Sequence, residues 1–277
     1  MKKVVFVGCS FTAGTGWLDV DYNVKENLWI ECKDHPKLWT NLCCTQIDQL
    51  KNLQAVNVGK CGLSNSEIFI ATTKAITNYN SDIDTIFCQW TGMPRYFFSV
   101  GFELWSTGQG LHPNQRLGGV NLSCGHSWDK EYLNDLLDRL LVLHHLHDEI
   151  LKVVTYCNTL QKLSNLFGIK LYFINGLCPW DQDYFVRLTD VMPEQFTAFT
   201  KKEILNIDSR NDADSFQLYK KMHDDYDSAG GIDPKQWVNL YSSMEQQKID
   251  TNYDYSHPGI KSNQLYFKQV KQFLDNQ

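Results

Sequence analysis

The chain has 277 residues, of which 43% are hydrophobic and 21% charged, and its formal net charge is −6. These values are typical of a globular protein with a sizeable core. The acidic balance, without a Lys/Arg-rich run, argues against a nucleic-acid-binding surface, and no apolar run approaches the roughly 20 residues of a membrane helix.

Cysteine usage and the first residues bear on the cellular compartment. Nine cysteines are present, and none of them forms a CxxC pair. Cys43 and Cys44 are adjacent, which suits a disulfide framework poorly and favours reduced thiols. The apolar run after Lys3 breaks at Gly8 and is too short for a signal-peptide core. We therefore expect a cytoplasmic protein.

Strands and helices are predicted to alternate along the chain. In chain order, the predicted elements are a strand at 3–7, a helix at 37–50, a strand at 55–59, a helix at 64–78, a strand at 84–90, a helix at 132–167, a strand at 169–175 and a helix at 260–274. Ser64 and Glu67 form a capping box at the start of the second helix. This alternation predicts an α/β domain with a parallel sheet between helical layers. We expect one domain over residues 1–277, with insertions at about 92–130 and 176–250.

Small and polar residues follow three of the predicted strands, where ligands bind in open parallel sheets. The clusters are Gly8–Gly14, Asn57–Gly62 and Gln89–Gly92, and a fourth, Asp254–Gly259, precedes the last helix. Other motifs fail on spacing, since no Walker A loop, GxGxxG fingerprint or GxSxG elbow is present.

These clusters contain the parts of an acyl-transfer site. A serine hydroxyl becomes a nucleophile when an imidazole takes its proton, and a nearby carboxylate orients that imidazole. Ser10, His257 and Asp254 fit these roles, while the N–H groups of Ser10 and Gly62 would hold the oxyanion. Simpler interpretations stay open: Ser10 as a helix cap, His257 as a turn residue and Gly62 as a turn glycine.

Three blocks in this order resemble the SGNH (GDSL-type) hydrolase family. Phe6–Thr12 is similar to its first block in a Gly-Cys-Ser variant, Asn57–Gly62 to its second, and Asp254–His257 to its Asp-x-x-His block. The resemblance implies a flavodoxin-like three-layer α/β/α sandwich and hydrolysis or transfer of ester-linked acyl groups, often acetyl on carbohydrate. It also places an oxyanion Asn after the third strand.

The chain departs from that pattern after its third predicted strand. Met93 stands near the position of the oxyanion Asn, and Thr91, Gln89 or Asn57 are the alternative donors. We predict that Thr91 and Arg95 bind substrate, although Arg95 also suits a structural ion pair.

No cofactor or metal is predicted. His144, His147 and Asp148 share a helix face, but HExxH is absent and a solvated or packed face is the simpler interpretation. The tryptophans of the insertions suit a sugar site and core packing equally well, and they are Trp105, Trp128, Trp180 and Trp237.

The sequence thus predicts an SGNH-type serine esterase acting on an O-acyl ester of a small molecule or saccharide. An O-acyltransferase using the same site is one alternative. A catalytically inactive carbohydrate- or partner-binding protein on the same fold is the other. The oligomeric state has no signature in the sequence.

Overall fold

A computed structural model describes residues 1–15, 32–91, 95–99, 119–123, 146–177, 234–239, 242–251 and 257–277. The chain divides into two compact units. The first contains Met1–Gly92, Tyr156–Trp180 and Ile232–Gln277, and the second contains Met93–Thr155 and Asp181–Gly231. Much of the second unit falls within the two predicted insertions, and the single-domain organisation stays a prediction.

The described elements include six strands and five α-helices. The strands are β1 (Lys3–Val7), β2 (Gln54–Asn57), β3 (Ile83–Trp90), β4 (Arg95–Ser99), β5 (Gly119–Ser123) and β6 (Lys170–Asn175). The helices are α1 (Ser10–Ala13), α2 (Trp39–Gln46), α3 (Asn65–Tyr79), α4 (Leu146–Phe167) and α5 (Ile260–Asp275), and a 3₁₀ turn spans Pro234–Gln236.

The sheet of the first unit has the order β2-β1-β3-β6, and its neighbouring strands are all parallel. The chain passes from β1 to β2 on one side and then returns to β3 on the other side of β1. This reversal makes the carboxyl ends of β1 and β3 a topological switch point, where ligands bind in folds of this class. The predicted α/β fold with a parallel sheet is confirmed.

Helices cover both faces of this sheet, as the three-layer prediction requires. On one face, Phe6 and Phe87 share a buried cluster with Trp39 of α2 and Tyr266 of α5. The ring centroids of Phe6 and Phe87 lie 5.3 Å apart in a stacked arrangement. Strand side chains alternate in direction, so their neighbours point to the opposite face.

The opposite face packs against α3 and against α4 from Tyr156 onward. Thr72 of α3 donates a hydrogen bond to the sulfur of Cys88 over 3.5 Å. Tyr156 stacks on Phe69 at 4.2 Å and on Trp90 at 6.3 Å between ring centroids. The sheet is therefore buried on both sides, which is why its central strands are apolar runs without polar alternation.

Helix ends follow local signals in the sequence. Ser64 caps α3, and the reciprocal hydrogen bonds with Glu67 complete the predicted capping box. Gly168 ends α4 with a φ of 66°, a left-handed conformation that glycine adopts without a Cβ clash. The helix predicted over 37–50 is shorter, because α2 ends at Gln46 and turns follow.

The second unit contains two antiparallel strands where the sequence predicted irregular chain. Arg95 pairs with Ser123, and Ser99 pairs with Gly119. The run Tyr96-Phe97-Phe98 has the aromatic character of strands, but its partner strand is more than 20 residues away in the sequence, beyond the reach of a short hairpin pattern. Among the described helices, none has the length and apolar character that crossing a bilayer requires.

Candidate active site

Ser10 lies at the switch point, as the first residue of α1 directly after β1. The side chain is buried, with 4% of the residue exposed, and its Oγ lies 4.0 Å from the sulfur of Cys9. Cys9, not Ser10, is the N-cap residue, and no side-chain capping bond forms there among the described residues. The simpler interpretation of Ser10 as a helix cap is therefore wrong.

The start of α1 also leaves backbone donors available. The N–H groups of the first helical residues have no acceptor within their own helix. In α1, the N–H groups of Thr12 and Ala13 donate to the carbonyl oxygen of Cys9. The N–H group of Ser10 precedes both of them in the chain. The role of the Ser10 N–H in binding an oxyanion stays a prediction.

His257 lies beside α1, just before α5. Its imidazole meets the ring of Phe11 edge-on, with ring centroids 6.0 Å apart and planes at 74°. Phe11 follows Ser10 directly, so the structure brings the predicted base into the neighbourhood of the predicted nucleophile across almost the whole sequence. The side chain of His257 is half-buried.

Asp250 fixes the segment that carries His257. Its carboxylate accepts hydrogen bonds from the N–H groups of Lys261 over 2.9 Å and Ser262 over 2.7 Å, at the start of α5. The carbonyl oxygen of Asp250 accepts from the Gly259 N–H over 3.0 Å. These bonds tie Asp250 to the chain just after His257.

The environment of Asp250 favours its charged form. Burial opposes ionisation, but hydrogen bonds from the Ser262 hydroxyl and from the N–H groups of Lys261 and Ser262 outweigh it and lower the pKa of Asp250. An ionised carboxylate at this place also interacts favourably with the N-terminus of α5. The cap on α5 is therefore strongest above the ordinary pKa of an aspartate.

The loop after β2 is held against α1. The Lys60 N–H donates to the carbonyl oxygen of Gly8 over 3.0 Å, and the Asn57 side-chain amide donates to that of Thr12 over 2.7 Å. Gly59 packs closely here, since a Cβ added to it would lie 2.8 Å from the Cβ of Thr12. These contacts bring the predicted oxyanion loop next to the nucleophile turn.

Gly62 ends this loop in a left-handed conformation with a φ of 79°, which favours glycine. A Cβ added to it would meet no atom of the described residues within 4 Å. Among these residues, the backbone at Gly62 therefore has space beside it for close approach of a substrate. Its role in the oxyanion hole stays a prediction.

The three alternative oxyanion donors have different surroundings. The amide of Asn57 is used by Thr12 and the Gly59 N–H, and the amide of Gln89 is buried between Cys9 and Thr12. The Thr91 hydroxyl, by contrast, is buried and has no hydrogen-bond partner among the described residues. Of the three, Thr91 has an unused donor.

Asn65 fixes the backbone of Thr91 from α3. The Thr91 N–H donates to the Asn65 side-chain oxygen over 2.8 Å, and the Asn65 amide donates back to the Thr91 carbonyl over 3.4 Å. Asn65 is itself only 4% exposed. The position of Thr91 after β3 is thus set by a buried, reciprocal pair of hydrogen bonds.

Several predicted residues cannot be compared with this geometry. Asp254 and Met93 lie outside the described residues. Arg95 begins β4 in the second unit, and its role in substrate binding stays a prediction. His144 lies outside the described residues as well, and the described part of the chain contains no group of three or more His, Cys, Asp and Glu residues suited to a metal ion.

The position of Trp237 distinguishes between a sugar-binding role and core packing. It is 4% exposed, and its ring lies 5.2 Å from that of Phe173 between centroids. Trp237 is therefore a core residue and not part of a sugar-binding surface. The other three tryptophans of the predicted insertions lie outside the described residues.

Sequence reasoning did not assign the supporting roles of Gln89 and Asp250. A glutamine inside an otherwise apolar strand is a usable signal, because a buried amide requires partners. Asp250 offers a weaker signal, since an acid ten residues before the predicted helix is too distant for a local capping motif.

Comparison with known proteins gives distant structural similarities. No family model matches the sequence, and no curated protein matches it. Among solved structures, the chain is similar to a carbohydrate acetylesterase from Sinorhizobium meliloti, with 11% identity, a TM-score of 0.44 and coverage of 100% of this chain and 99% of the other.

Two further similarities are to lipolytic proteins of the G-D-S-L family. The one from Veillonella parvula has 11% identity, a TM-score of 0.41 and complete coverage of both chains, at 100% each. The one from Desulfitobacterium hafniense has 9% identity, a TM-score of 0.38 and 99% coverage of each chain.

Proposed function

We propose that this protein is a serine hydrolase that cleaves an O-acyl ester, with Ser10 as nucleophile and His257 as general base. The contact between Phe11 and the His257 imidazole, 6.0 Å between ring centroids, carries the proposal. It unites two residues from opposite ends of the sequence at the carboxyl edge of a parallel sheet. This is the edge at which folds of this class bind ligands.

The chemistry follows from these groups. The Ser10 Oγ attacks the acyl carbonyl carbon while His257 takes the hydroxyl proton, and the N–H groups of Ser10 and Gly62 stabilise the oxyanion. The intermediate collapses as the ester C–O bond breaks and His257 returns the proton to the leaving alkoxide. A water molecule then adds to the acyl-enzyme by the same route and releases the acid and free Ser10. Asp254 orients His257 in this proposal.

Substrate binding is assigned to Thr91 and Arg95. The Thr91 hydroxyl is a buried donor with no described partner, and a substrate oxygen would satisfy it. The guanidinium of Arg95 would bind an anionic group on the substrate. The preferred substrate class is an O-acyl ester such as an acetylated saccharide, because the sequence blocks resemble those of enzymes that act on such esters.

A transferase uses the same first half of this reaction. If a sugar hydroxyl replaces water in the second half, the acyl group passes to that acceptor. Product analysis with an acetyl ester and a saccharide acceptor distinguishes the two outcomes, since the hydrolase releases acetate and the transferase releases an acetylated acceptor.

A non-catalytic binding protein on the same fold is the competing proposal. The observation that favours it is the burial of Ser10, whose hydroxyl faces the Cys9 sulfur at 4.0 Å. In that case an acyl or saccharide ligand binds without turnover.

The test is labelling with a fluorophosphonate, which reacts covalently with activated serines. Wild type is compared with Ser10→Ala and His257→Ala, and the modified peptide is mapped by mass spectrometry. We expect labelling at Ser10 that is lost in both variants. Ser81→Ala and His35→Ala are matched controls at other described positions and retain labelling.

Two outcomes contradict the proposal. Labelling that persists in Ser10→Ala identifies a different nucleophile. A folded wild type that is not labelled, and that binds an acetylated saccharide without turnover, supports the non-catalytic protein.

A further inference from the structure

Gln89 is a buried amide at the end of β3 whose two ends contact the turn that carries Ser10. Its side-chain oxygen accepts a hydrogen bond from the Thr12 hydroxyl. Its NH₂ group donates to the sulfur of Cys9 over 3.5 Å. Gln89 and Thr12 are each 0% exposed, so water does not compete for these bonds.

The two contacts bracket the proposed nucleophile. Cys9 precedes Ser10 and caps α1, while Thr12 lies in the middle of this four-residue helix. One rigid amide plane therefore joins both sides of the turn to the central strand β3. The sulfur of Cys9, which accepts the Gln89 hydrogen bond, also lies 4.0 Å from the Ser10 Oγ.

Close packing holds the amide in one orientation. A Cβ added to Gly8 would lie 2.6 Å from the Gln89 side-chain oxygen. A Cβ added to Gly176 would lie 2.1 Å from the Gln89 side-chain nitrogen. Because only glycines leave room for the amide from both sides, its rotation is restricted and its donor and acceptor keep fixed directions.

We propose that Gln89 is a positioning residue that sets the direction of the Ser10 hydroxyl through Cys9 and Thr12. This inference rests on the proposed function and deepens it. Gln89 does not contact the reacting atoms. It fixes the turn from which the Ser10 Oγ projects, and small displacements of a nucleophile reduce rates strongly.

Gln89→Met tests the role by removing both hydrogen bonds at similar side-chain volume. The matched control is Thr72→Val, which removes the hydrogen bond to Cys88 from the opposite face of the same strand. We expect fluorophosphonate labelling of Ser10 to be slower on the order of 10–100-fold in Gln89→Met. In Thr72→Val, the rate stays within about twofold of wild type at equal folded fraction, because the side chains of Cys88 and Gln89 point to opposite faces of the sheet.

Gln89→Glu gives a readout that a structural role alone would not change. A neutral carboxyl still accepts from Thr12 and donates to Cys9, whereas the ionised form has no donor. Burial raises the pKa of such a carboxyl. We therefore expect the labelling rate, measured at equal folded fraction and taken as a ratio to wild type at each pH, to be near one in acid and to fall as pH rises.

The outcomes separate this inference from the proposed function. If wild type is not labelled at Ser10, the proposed function fails and the inference falls with it. If wild type is labelled and Gln89→Met matches it, or if the Gln89→Glu ratio is constant with pH, the inference alone is wrong. Should Gln89→Met not fold, Thr12→Val removes one of the two bonds and is judged by the same labelling rate.

Discussion

Ser10 begins α1 and His257 lies just before α5, and the starts of these two helices are stabilised by different groups. At α5, the carboxylate of Asp250 occupies the N–H groups of Lys261 and Ser262. At α1, Cys9 provides no side-chain cap among the described residues. A side chain therefore stabilises the start of α5, whereas no described side chain caps the start of α1.

The supports of the two regions also differ in charge. Neutral amides, those of Gln89 and Asn57, hold the turn around Ser10. An ionised carboxylate with a lowered pKa holds the segment of His257. We therefore expect acid to destabilise the segment that carries His257 before it destabilises the turn that carries Ser10. The following predictions test that comparison in order of expected effect.

The largest effect is expected at the contact between the two regions. Phe11 is 6% exposed and packs against His257, so Phe11→Ala removes a buried ring and should cost about 3–5 kcal/mol in the free energy of unfolding. Urea unfolding measures this, and fluorophosphonate labelling of the remaining folded protein should also slow. Phe11→Leu is the control, and its free energy of unfolding and its labelling rate should both decrease less than those of Phe11→Ala. A Phe11→Ala protein that is labelled at the wild-type rate would show that the contact does not align the two groups.

An intermediate effect is expected at the cap of α5. Asp250→Ala removes the acceptor for two backbone N–H groups and should lower the free energy of unfolding by about 1–2 kcal/mol at pH 7. Because the folded-state pKa is lowered, this stabilisation is present above the ordinary Asp pKa near 4 and is lost as pH falls through the lowered value. Unfolding curves at several pH values measure it.

The contrast with Asp250→Asn isolates the charge. An asparagine retains an acceptor for the N–H groups, so this variant should lose less stability at pH 7 than Asp250→Ala. The difference between wild type and Asp250→Asn should shrink in acid. A difference that is constant with pH would mean that the charge of Asp250 does not stabilise the segment.

The smallest effect is expected at the other end of the same helix. Lys271 pairs with Asp275 one turn later, with side chains that are 44% and 46% exposed. Such a pair contributes only about 0.3–0.5 kcal/mol, and Lys271→Ala should leave Ser10 labelling unchanged. Thermal unfolding measures the change in stability, and the labelling rate measures any effect on Ser10. A cost as large as that of Asp250→Ala would remove the distinction between the two ends of α5.

Local signals in the sequence predicted local structure well. The capping box of Ser64 and Glu67 needs only four consecutive residues, and the apolar strands needed only their own composition. The pairing of β4 with β5 was missed because each strand's partner is distant in the sequence.

The site was predicted in part by chemical logic. Ser10 and His257 were named because acyl transfer needs both groups. In the structure, the contact of His257 with Phe11, the residue after Ser10, shows that the two lie in the same region. The role of Gln89 depends on Cys9 and Thr12, which are 80 and 77 residues away. Such a contact has no periodicity or spacing that the sequence displays. It follows only from the parallel register of β1 and β3.

The strand order has a consequence for how the protein folds. Val4, in the centre of the sheet, pairs with both Ala55 and Thr85, and α5 docks on α2 with a hydrogen bond between residues 224 apart in the sequence, Asn263 and Trp39. Contacts of such separation form slowly, because loop closure precedes the stabilisation that they provide. We therefore expect the two halves of the site to come together late in folding. Until then the open strand edges are exposed to pairing with other chains, so refolding should recover most protein at low concentration.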